Sequence, residues 1–181
     1  SVMPGYRNMP EKTAETFSED GWLLTGDIGE LDEDGYLKIV DRKKELIISA
    51  AGKNMSPANI ESHLKTASPL IGQAVAVGDK RPYNVALIVL DPDYAPVWAK
   101  KNGLTGESIE NLAGEEKVAE AIQAAVDEAN SKMARVEQIK KFTILESDWQ
   151  PGGDELTPTM KLKRRPIDEK YAEEIEALYS G

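Results

Sequence analysis

Residues 71–90 read IGQAVAVGDKRPYNVALIVL, two apolar runs separated by a short polar stretch. Runs rich in valine, isoleucine and leucine are typical of β-strands, and a polar segment with glycine and proline between them is typical of a hairpin loop. We therefore predict strands over Ile71–Gly78 and Asn84–Leu90, joined by a loop over Asp79–Tyr83. This hairpin is the centre of the predicted fold.

On the C-terminal side of the hairpin, the sequence predicts helices and one more strand. Helical spacing of apolar residues predicts helices over 93–102 and 115–133, and a β-branched run predicts a strand over 139–145. Two glycines and two prolines predict a mobile linker over 150–158. Pro166 is expected to open a last helix. The buried stripe of that helix is predicted to comprise Ile167, Tyr171, Ile175 and Leu178.

On the N-terminal side, a short strand over 46–48 is predicted to lead through a loop of small residues, 49–54, into a helix. Ser56 followed by Pro57 predicts the helix start, because serine caps free amides and proline fits the first helical position. The order of elements predicts an α+β fold with a small mixed sheet flanked by helices.

Residues 1–42 differ in character and are rich in strand and turn signals. Strands are predicted over 21–25 and 36–40, with a turn at Asp34-Gly35 closing a hairpin. The segment is too short for a core of its own. We interpret it as a β-hairpin fragment that completes a larger, missing N-terminal domain, with a second domain over 43–181.

Composition excludes several kinds of site. The 181 residues include no cysteine, which excludes disulfides and thiolate metal ligands. They include one histidine, His63, which excludes a metal site built from several histidines of this chain. No metal site is predicted. A net charge of −10 argues against nucleic-acid binding. With no membrane-spanning run and no signal peptide in the first ten residues, the predicted location is the cytoplasm, with peripheral membrane association left open.

A basic run, Lys161-Leu-Lys163-Arg164-Arg165, stands out in this acidic chain. It follows the predicted linker, so two interpretations remain open: a solvated surface, or a cation delivered to a phosphate or carboxylate. At about 4 Å and an effective dielectric near 20, one such charge interacts by roughly 4 kcal/mol. That energy is ample for stabilising a transition state.

Three other features have both a structural and a functional interpretation. Asp27 follows a glycine near a strand end, where carboxylates often bind ribose hydroxyls, but an exposed turn residue is the commoner case. Arg42 lies in a charged junction that is either a solvated linker or a hinge, and in the second case Arg42 is also free to bind a phosphate or sugar. Gly52 would permit close approach of a narrow ligand, or simply form a turn.

Four segments taken together resemble a known family. They are Trp22–Asp27 (WLLTGD), Gly35–Ile47 (GYLKIVDRKKELI), Gly52–Glu61 (GKNMSPANIE) and Leu156–Arg165 (LTPTMKLKRR). In this order and spacing they resemble the C-terminal part of an acyl-adenylate-forming enzyme of the long-chain fatty-acid–CoA ligase group. Other members usually end in Ser-Gly-Lys, where this chain has Thr159-Met160 before the lysine.

The resemblance implies a role for each matching residue. Asp27 matches the ribose-binding aspartate, and Arg42 matches an arginine that also reaches the nucleotide. Lys44 matches the hinge about which the C-terminal lid turns, and Gly52 matches the glycine beside the pantetheine arm of CoA. Lys161 matches the catalytic lysine of the adenylation step; Lys163 is the nearby competitor for that role, but the spacing to Arg164-Arg165 favours Lys161.

The resemblance also implies partners and substrates. These are an N-terminal catalytic domain of the same enzyme, a fatty acid, ATP with Mg²⁺, and CoA. The chain alone is expected neither to make acyl-CoA nor to bind these ligands tightly. Two alternatives stay open: an acyl-adenylate ligase that passes its product to a carrier protein, and a stand-alone interaction module with a borrowed lid fold.

Overall fold

The computed structural model describes residues 2–43, 45–50, 52–105 and 108–180. The elements, in chain order, are α1 (Pro10–Thr16), β1 (Asp27–Leu31), β2 (Leu37–Arg42), β3 (Ile47–Ile48), β4 (Asn54–Met55), α2 (Pro57–Ala67), β5 (Ile71–Val77), β6 (Asn84–Leu90), α3 (Tyr94–Lys101), α4 (Ile109–Ala113), α5 (Glu116–Ser131), β7 (Ile139–Leu145), α6 (Arg164–Lys170) and α7 (Ala172–Tyr179). The chain divides into two compact units, residues 1–46 and 47–181. The functional boundary at 42/43 stays a prediction.

The first unit contains the predicted hairpin with a different first strand. β1 pairs with β2 in antiparallel register, and Asp32 organises the turn by accepting hydrogen bonds from the amides of Asp34 and Tyr36. The strand predicted over 21–25 is wrong, since only an isolated bridge forms there, between Phe17 and Leu23. The acidic residues 27–31 form the strand β1 instead, because their carboxylates are solvent-exposed and do not oppose pairing.

The second unit is built on a mixed three-stranded sheet in the order β5–β6–β7. β5 and β6 form the predicted antiparallel hairpin, while β7 runs parallel to β6 after the crossover through α3, α4 and α5. Every residue of β6 is buried. The continuous apolar run of this strand is explained by burial on both faces. The predicted α+β fold with a small mixed sheet is confirmed.

Helices cover each face of this sheet. On one face, alternate residues of β6 such as Ile88 pack with Ile60 of α2 and Ile122 of α5 in the larger core. On the other face, Leu87 packs with Ile167 of α6 in a smaller core. Ser56 caps α2 as predicted, because its hydroxyl accepts a hydrogen bond from the Asn59 amide at 3.1 Å. The predicted helices around α3 and α5 are also present.

The C-terminal region departs from prediction in two respects. Residues 150–158 are not a free linker, since Leu156 within them has 0% exposure and belongs to the smaller core. The last helix begins at Arg164 rather than Pro166 and is interrupted at Tyr171, giving α6 and α7. Burial of one large side chain overrides the local signal of glycine and proline. In the described ranges, none of the helices combines the length and apolarity that crossing a bilayer demands.

Candidate active-site elements

Lys161 lies at the tip of a short hairpin over residues 155–163, here called the lysine hairpin. The Lys163 amide donates to the carbonyl of Glu155 at 2.8 Å, and the Thr157 amide donates to the carbonyl of Lys161 at 2.8 Å. Between them, residues 156 and 162 form an antiparallel bridge. The side chain of Lys161 is exposed at the end of this frame.

A buried carboxylate anchors the lysine hairpin on one side. Glu155 is 7% exposed and accepts hydrogen bonds from Lys170 Nζ at 2.5 Å and from the Tyr171 hydroxyl at 3.1 Å. The Tyr171 hydroxyl in turn accepts from Trp149 Nε1 at 2.9 Å. Burial opposes ionisation of Glu155, but the hydrogen bonds from Lys170 and Tyr171 and a backbone hydrogen bond outweigh it and lower its pKa.

The other bases of the run are engaged by protein groups. Lys163 Nζ donates to the carbonyl of Gly153 at 2.7 Å. Arg164 forms a two-pronged ion pair with Glu61, and Arg165 pairs with Glu169 one helical turn away. Within ranges 2–43, 45–50, 52–105 and 108–180, the ammonium group of Lys161 makes no hydrogen bond or ion pair. Lys161 is therefore the base of this run whose charged group has no protein partner in the described part of the chain, while Arg165 is paired but 89% exposed.

In the first unit, the structure brings Asp27 and Arg42 together. They are register partners at the open ends of β1 and β2, and Arg42 Nε lies 3.5 Å from Asp27 Oδ1. The arginine side chain is 69% exposed and the aspartate side chain is 33% exposed. Both groups can therefore contact a ligand while remaining each other's counter-ion. Their antiparallel pairing places them side by side although 15 residues of sequence separate them.

Gly52 lies in the turn between β3 and β4. Its φ of +78° falls in the left-handed region that favours glycine, and its amide donates to the Ser49 carbonyl at 2.8 Å. A Cβ built there would meet nothing within 4 Å, so the space beside this residue is open. The glycine is required by the turn itself, and its open flank also leaves room for a ligand.

A cavity of about 480 Å³ lies beside the Gly52 turn. It has a basic lining, which sequence reasoning missed because the contributing residues are scattered along the chain. The basic residues that line it are Lys53, Arg81, Arg135 and Lys140. Such a lining suits a ligand that carries phosphate groups.

Arg81 is held in the cavity wall by the last helix. It pairs with the Glu176 carboxylate and lies 4.6 Å from the ring centroid of Tyr179. The Tyr179 hydroxyl is within hydrogen-bonding distance of the carbonyls of Val77 and Tyr83, and burial raises its pKa to about 12. The C-terminal helix therefore fixes the loop between β5 and β6.

Two further predictions can be placed against the structure. The hinge predicted at Lys44 lies outside the described residues. No cluster of potential metal ligands occurs in ranges 2–43, 45–50, 52–105 and 108–180. The ion pair of Glu61 with Arg164 was not predicted, because 103 residues of sequence separate its partners and no local pattern links them.

These elements define an α+β domain that carries a rigid hairpin with a lysine at its tip. Residues 44–181 match the family model of the AMP-binding enzyme C-terminal domain. The match covers most of the chain, and the chain belongs to this family. The family resemblance inferred from the four segments is confirmed.

Curated relatives agree with this assignment. Over 180 residues the chain is 56% identical to a Mycobacterium tuberculosis protein provisionally named fatty-acid–CoA ligase fadD11, covering 99% of this chain and 31% of that protein. It is 47% identical to the long-chain-fatty-acid–CoA ligase FadD15 of the same organism, covering 99% of this chain and 30% of the relative. The chain thus spans about a third of the length of these relatives.

A solved structure shares the same fold. The A domain of a carboxylic acid reductase from Segniliparus rugosus, in complex with AMP and a carboxylic acid, matches with a TM-score of 0.74 and 28% identity. The match covers 99% of this chain and 26% of that one. This structural likeness includes the residues of both compact units.

Proposed function

We propose that this chain is the C-terminal part of an ATP-dependent long-chain fatty-acid–CoA ligase and supplies its adenylation lysine, Lys161. The observation that carries the proposal is the exposed ammonium at the tip of the lysine hairpin, next to basic neighbours that protein groups already hold. Family membership and ligase-named relatives support it.

In the first half-reaction, a carboxylate oxygen of the fatty acid attacks the α-phosphorus of Mg-ATP. A new O–P bond forms, the bond to the β,γ-diphosphate breaks, and acyl-adenylate and pyrophosphate result. Two anions meet in this step, so Lys161 bridging their oxygens lowers the barrier. Asp27 would bind the ribose hydroxyls, and Arg42 would contact the nucleotide.

In the second half-reaction, the thiolate of CoA attacks the acyl carbonyl carbon, the bond to AMP breaks, and AMP leaves. The open flank of Gly52 would admit the pantetheine arm. The adjacent basic cavity would hold phosphates of CoA through Lys53 and Lys140.

The two half-reactions need different positions of Lys161. If Lys161 stayed in its adenylation position, it would obstruct the attack of the CoA thiol in the second half-reaction. We assign the change to a rotation of residues 43–181 about Lys44 relative to residues 1–42 and an N-terminal catalytic domain. The ordered lysine hairpin supports movement of the lid as a body rather than of a free arm.

The N-terminal catalytic domain is proposed as the partner of the first unit. Large apolar side chains of that unit are solvent-exposed, as a surface intended for burial would be. They are Trp22, Leu31, Tyr36, Leu37 and Ile39. We place the whole enzyme in the cytoplasm.

The test is an assay of the longer protein that carries this chain. With a fatty acid, ATP, Mg²⁺ and CoA, we expect AMP, pyrophosphate and acyl-CoA in equal amounts, and no product from the 181-residue chain alone. Transfer to a carrier-protein phosphopantetheine in preference to CoA would contradict the CoA-ligase assignment. Absence of fatty-acid-dependent ATP consumption would overturn the whole proposal.

A further inference from the structure

A buried ion pair ties the lysine hairpin to the body of the second unit. Arg164 directly follows the hairpin, at the start of α6, and Glu61 lies on α2. Arg164 Nη1 donates to Glu61 Oε1 at 2.7 Å and Nη2 donates to Oε2 at 2.9 Å. The side chains are 21% and 8% exposed, so the pair is largely removed from water.

Glu61 accepts a third hydrogen bond, from a second partner, that fixes its own position. Its Oε1 accepts a hydrogen bond from the Ala76 amide of β5 at 2.9 Å. One carboxylate thus joins a helix, a strand of the central sheet and the segment after the hairpin. Bidentate arginine–carboxylate pairs restrict geometry more than a single contact does, so the direction of the chain leaving Lys161 is defined.

The lysine hairpin is consequently held at both of its ends. Glu155 secures the strand that enters it through Lys170 and Tyr171. Arg164 secures the strand that leaves it, three residues after Lys161. A displacement of about 1 Å in a catalytic group can reduce a rate about 100-fold. The attachment of the lysine hairpin at both ends therefore has a direct catalytic consequence.

We propose that Glu61 and Arg164 are positioning residues for the adenylation step, acting through Lys161 without touching the substrates. This inference rests on the proposed function and extends it to residues that lie outside the reacting groups. Burial of a charged pair is costly, and its desolvation often cancels the gain in stability, so fixing one conformation is a separate role that such a pair can have. Here it fixes the position of the hairpin that carries Lys161, whose ammonium group has no protein partner among the described residues.

The variants are made in the longer protein that carries this chain. Arg164→Met removes the guanidinium group, and Glu61→Gln removes the negative charge. Arg164→Lys keeps the positive charge but loses the bidentate geometry. Arg165→Met is the matched control, because Arg165 is an exposed neighbour that pairs within its own helix.

Each variant is assayed for two half-reactions and for its melting temperature. Adenylation is measured by the fatty-acid-dependent exchange of pyrophosphate into ATP. Thioester formation is measured after CoA is added to preformed acyl-adenylate. We expect Arg164→Met and Glu61→Gln to lower the kcat of adenylation about 10- to 100-fold with little change in KM for ATP. Thioester formation should stay within about 3-fold of wild type, and Arg165→Met should match wild type in both assays.

A double-mutant cycle separates positioning from general structural support. If Arg164 acts through Lys161, adding Arg164→Met to Lys161→Ala should lower the residual adenylation rate by less than about 2-fold. Arg164→Lys is the control for misfolding of Arg164→Met, since it retains the positive charge. It should melt close to wild type and still lose adenylation about 5-fold, as one weakened charged hydrogen bond predicts.

Three results would overturn the inference while leaving the proposed function intact. They are equal losses in the two half-reactions, an undiminished effect of Arg164→Met in the Lys161→Ala background, and full adenylation by folded Arg164→Lys and Glu61→Gln proteins. Absence of exchange activity in the wild-type protein would instead overturn the proposed function and the inference together.

Discussion

Thr157 and Lys161 close the tip of the lysine hairpin on each other. The amide of Thr157 donates to the carbonyl of Lys161 at 2.8 Å, and the amide of Lys161 donates to Thr157 Oγ1 at 3.0 Å. Met160 between them has a φ of +63°, which L-residues rarely adopt. The threonine hydroxyl therefore stabilises a turn whose backbone is otherwise unfavourable, and it sets the direction from which the lysine side chain leaves.

Replacing Thr157 tests this turn. Thr157→Val keeps the shape but removes the acceptor of the Lys161 amide, and the loss of one hydrogen bond, about 1 kcal/mol, corresponds to about a 5-fold change. We expect about a 5-fold lower rate of adenylation and an unchanged rate of thioester formation in the longer protein. Thr157→Ser retains the hydroxyl and should behave as wild type. A loss of similar size in Thr157→Ser would show that the hydroxyl is not the group that matters.

Lys161 and Lys163 can be distinguished directly. Lys161→Ala should lower adenylation by at least about 100-fold, because it removes the charge that stabilises two meeting anions. Transfer from preformed acyl-adenylate to CoA should persist. Lys163→Met loses only the bond to the Gly153 carbonyl and should cost adenylation less than about 5-fold. The opposite order of effects would move the catalytic role to Lys163.

Local signals predicted the core of the second unit well. Apolar runs located β5, β6 and β7, and the Ser56-Pro57 pair located the start of α2, because these signals depend on neighbouring residues alone. The same reasoning placed the first strand of the N-terminal hairpin wrongly. An acidic stretch forms β1 since its side chains face solvent, which composition does not reveal.

The sequence predicted which residues form the candidate site, but it did not predict how they are held in position. Sequence motifs selected Lys161 by resemblance, whereas the anchors of its hairpin come from distant parts of the chain. Glu61 lies 103 residues from Arg164, and Glu155 bonds to Lys170 across 15 residues. Glycine and proline predicted a mobile linker, yet the buried Leu156 makes it an ordered frame. Tertiary packing of this kind has no local signature.

The Asp27–Arg42 pair predicts a nucleotide-binding defect. Asp27→Asn keeps the shape and part of the hydrogen bonding but removes the charge that strengthens bonds to ribose hydroxyls, a difference of about 1.5 kcal/mol. We expect KM for ATP to rise about 10-fold in the longer protein, with kcat for saturating ATP lowered much less. Glu30→Gln, on the same strand, should leave KM unchanged. An unaltered KM in Asp27→Asn would remove Asp27 from the nucleotide site.

The basic cavity predicts a defect confined to CoA. Lys53→Gln and Lys140→Gln each remove one cation from its lining, and a charged hydrogen bond to phosphate is worth about 1.5–3 kcal/mol. We expect KM for CoA to rise about 10-fold or more, with pyrophosphate exchange unaffected because that step precedes CoA. Lys132→Gln, which lies outside the cavity and pairs with Glu128, is the matched control. A change in exchange rate would contradict a CoA-specific role.

The anchor at Glu155 predicts how acid affects the 181-residue chain. Because the folded state lowers the pKa of this carboxyl from 4.5, folding favours its ionised form, and that contribution to stability is complete above about pH 5. It is lost as the pH falls through the folded-state pKa, when protonation weakens the bond from Lys170. Glu155→Gln cannot ionise, so the free-energy difference between wild type and variant should shrink steadily below pH 4.5 in urea unfolding. A difference that stays constant across this range would show that the charge of Glu155 does not anchor the lysine hairpin.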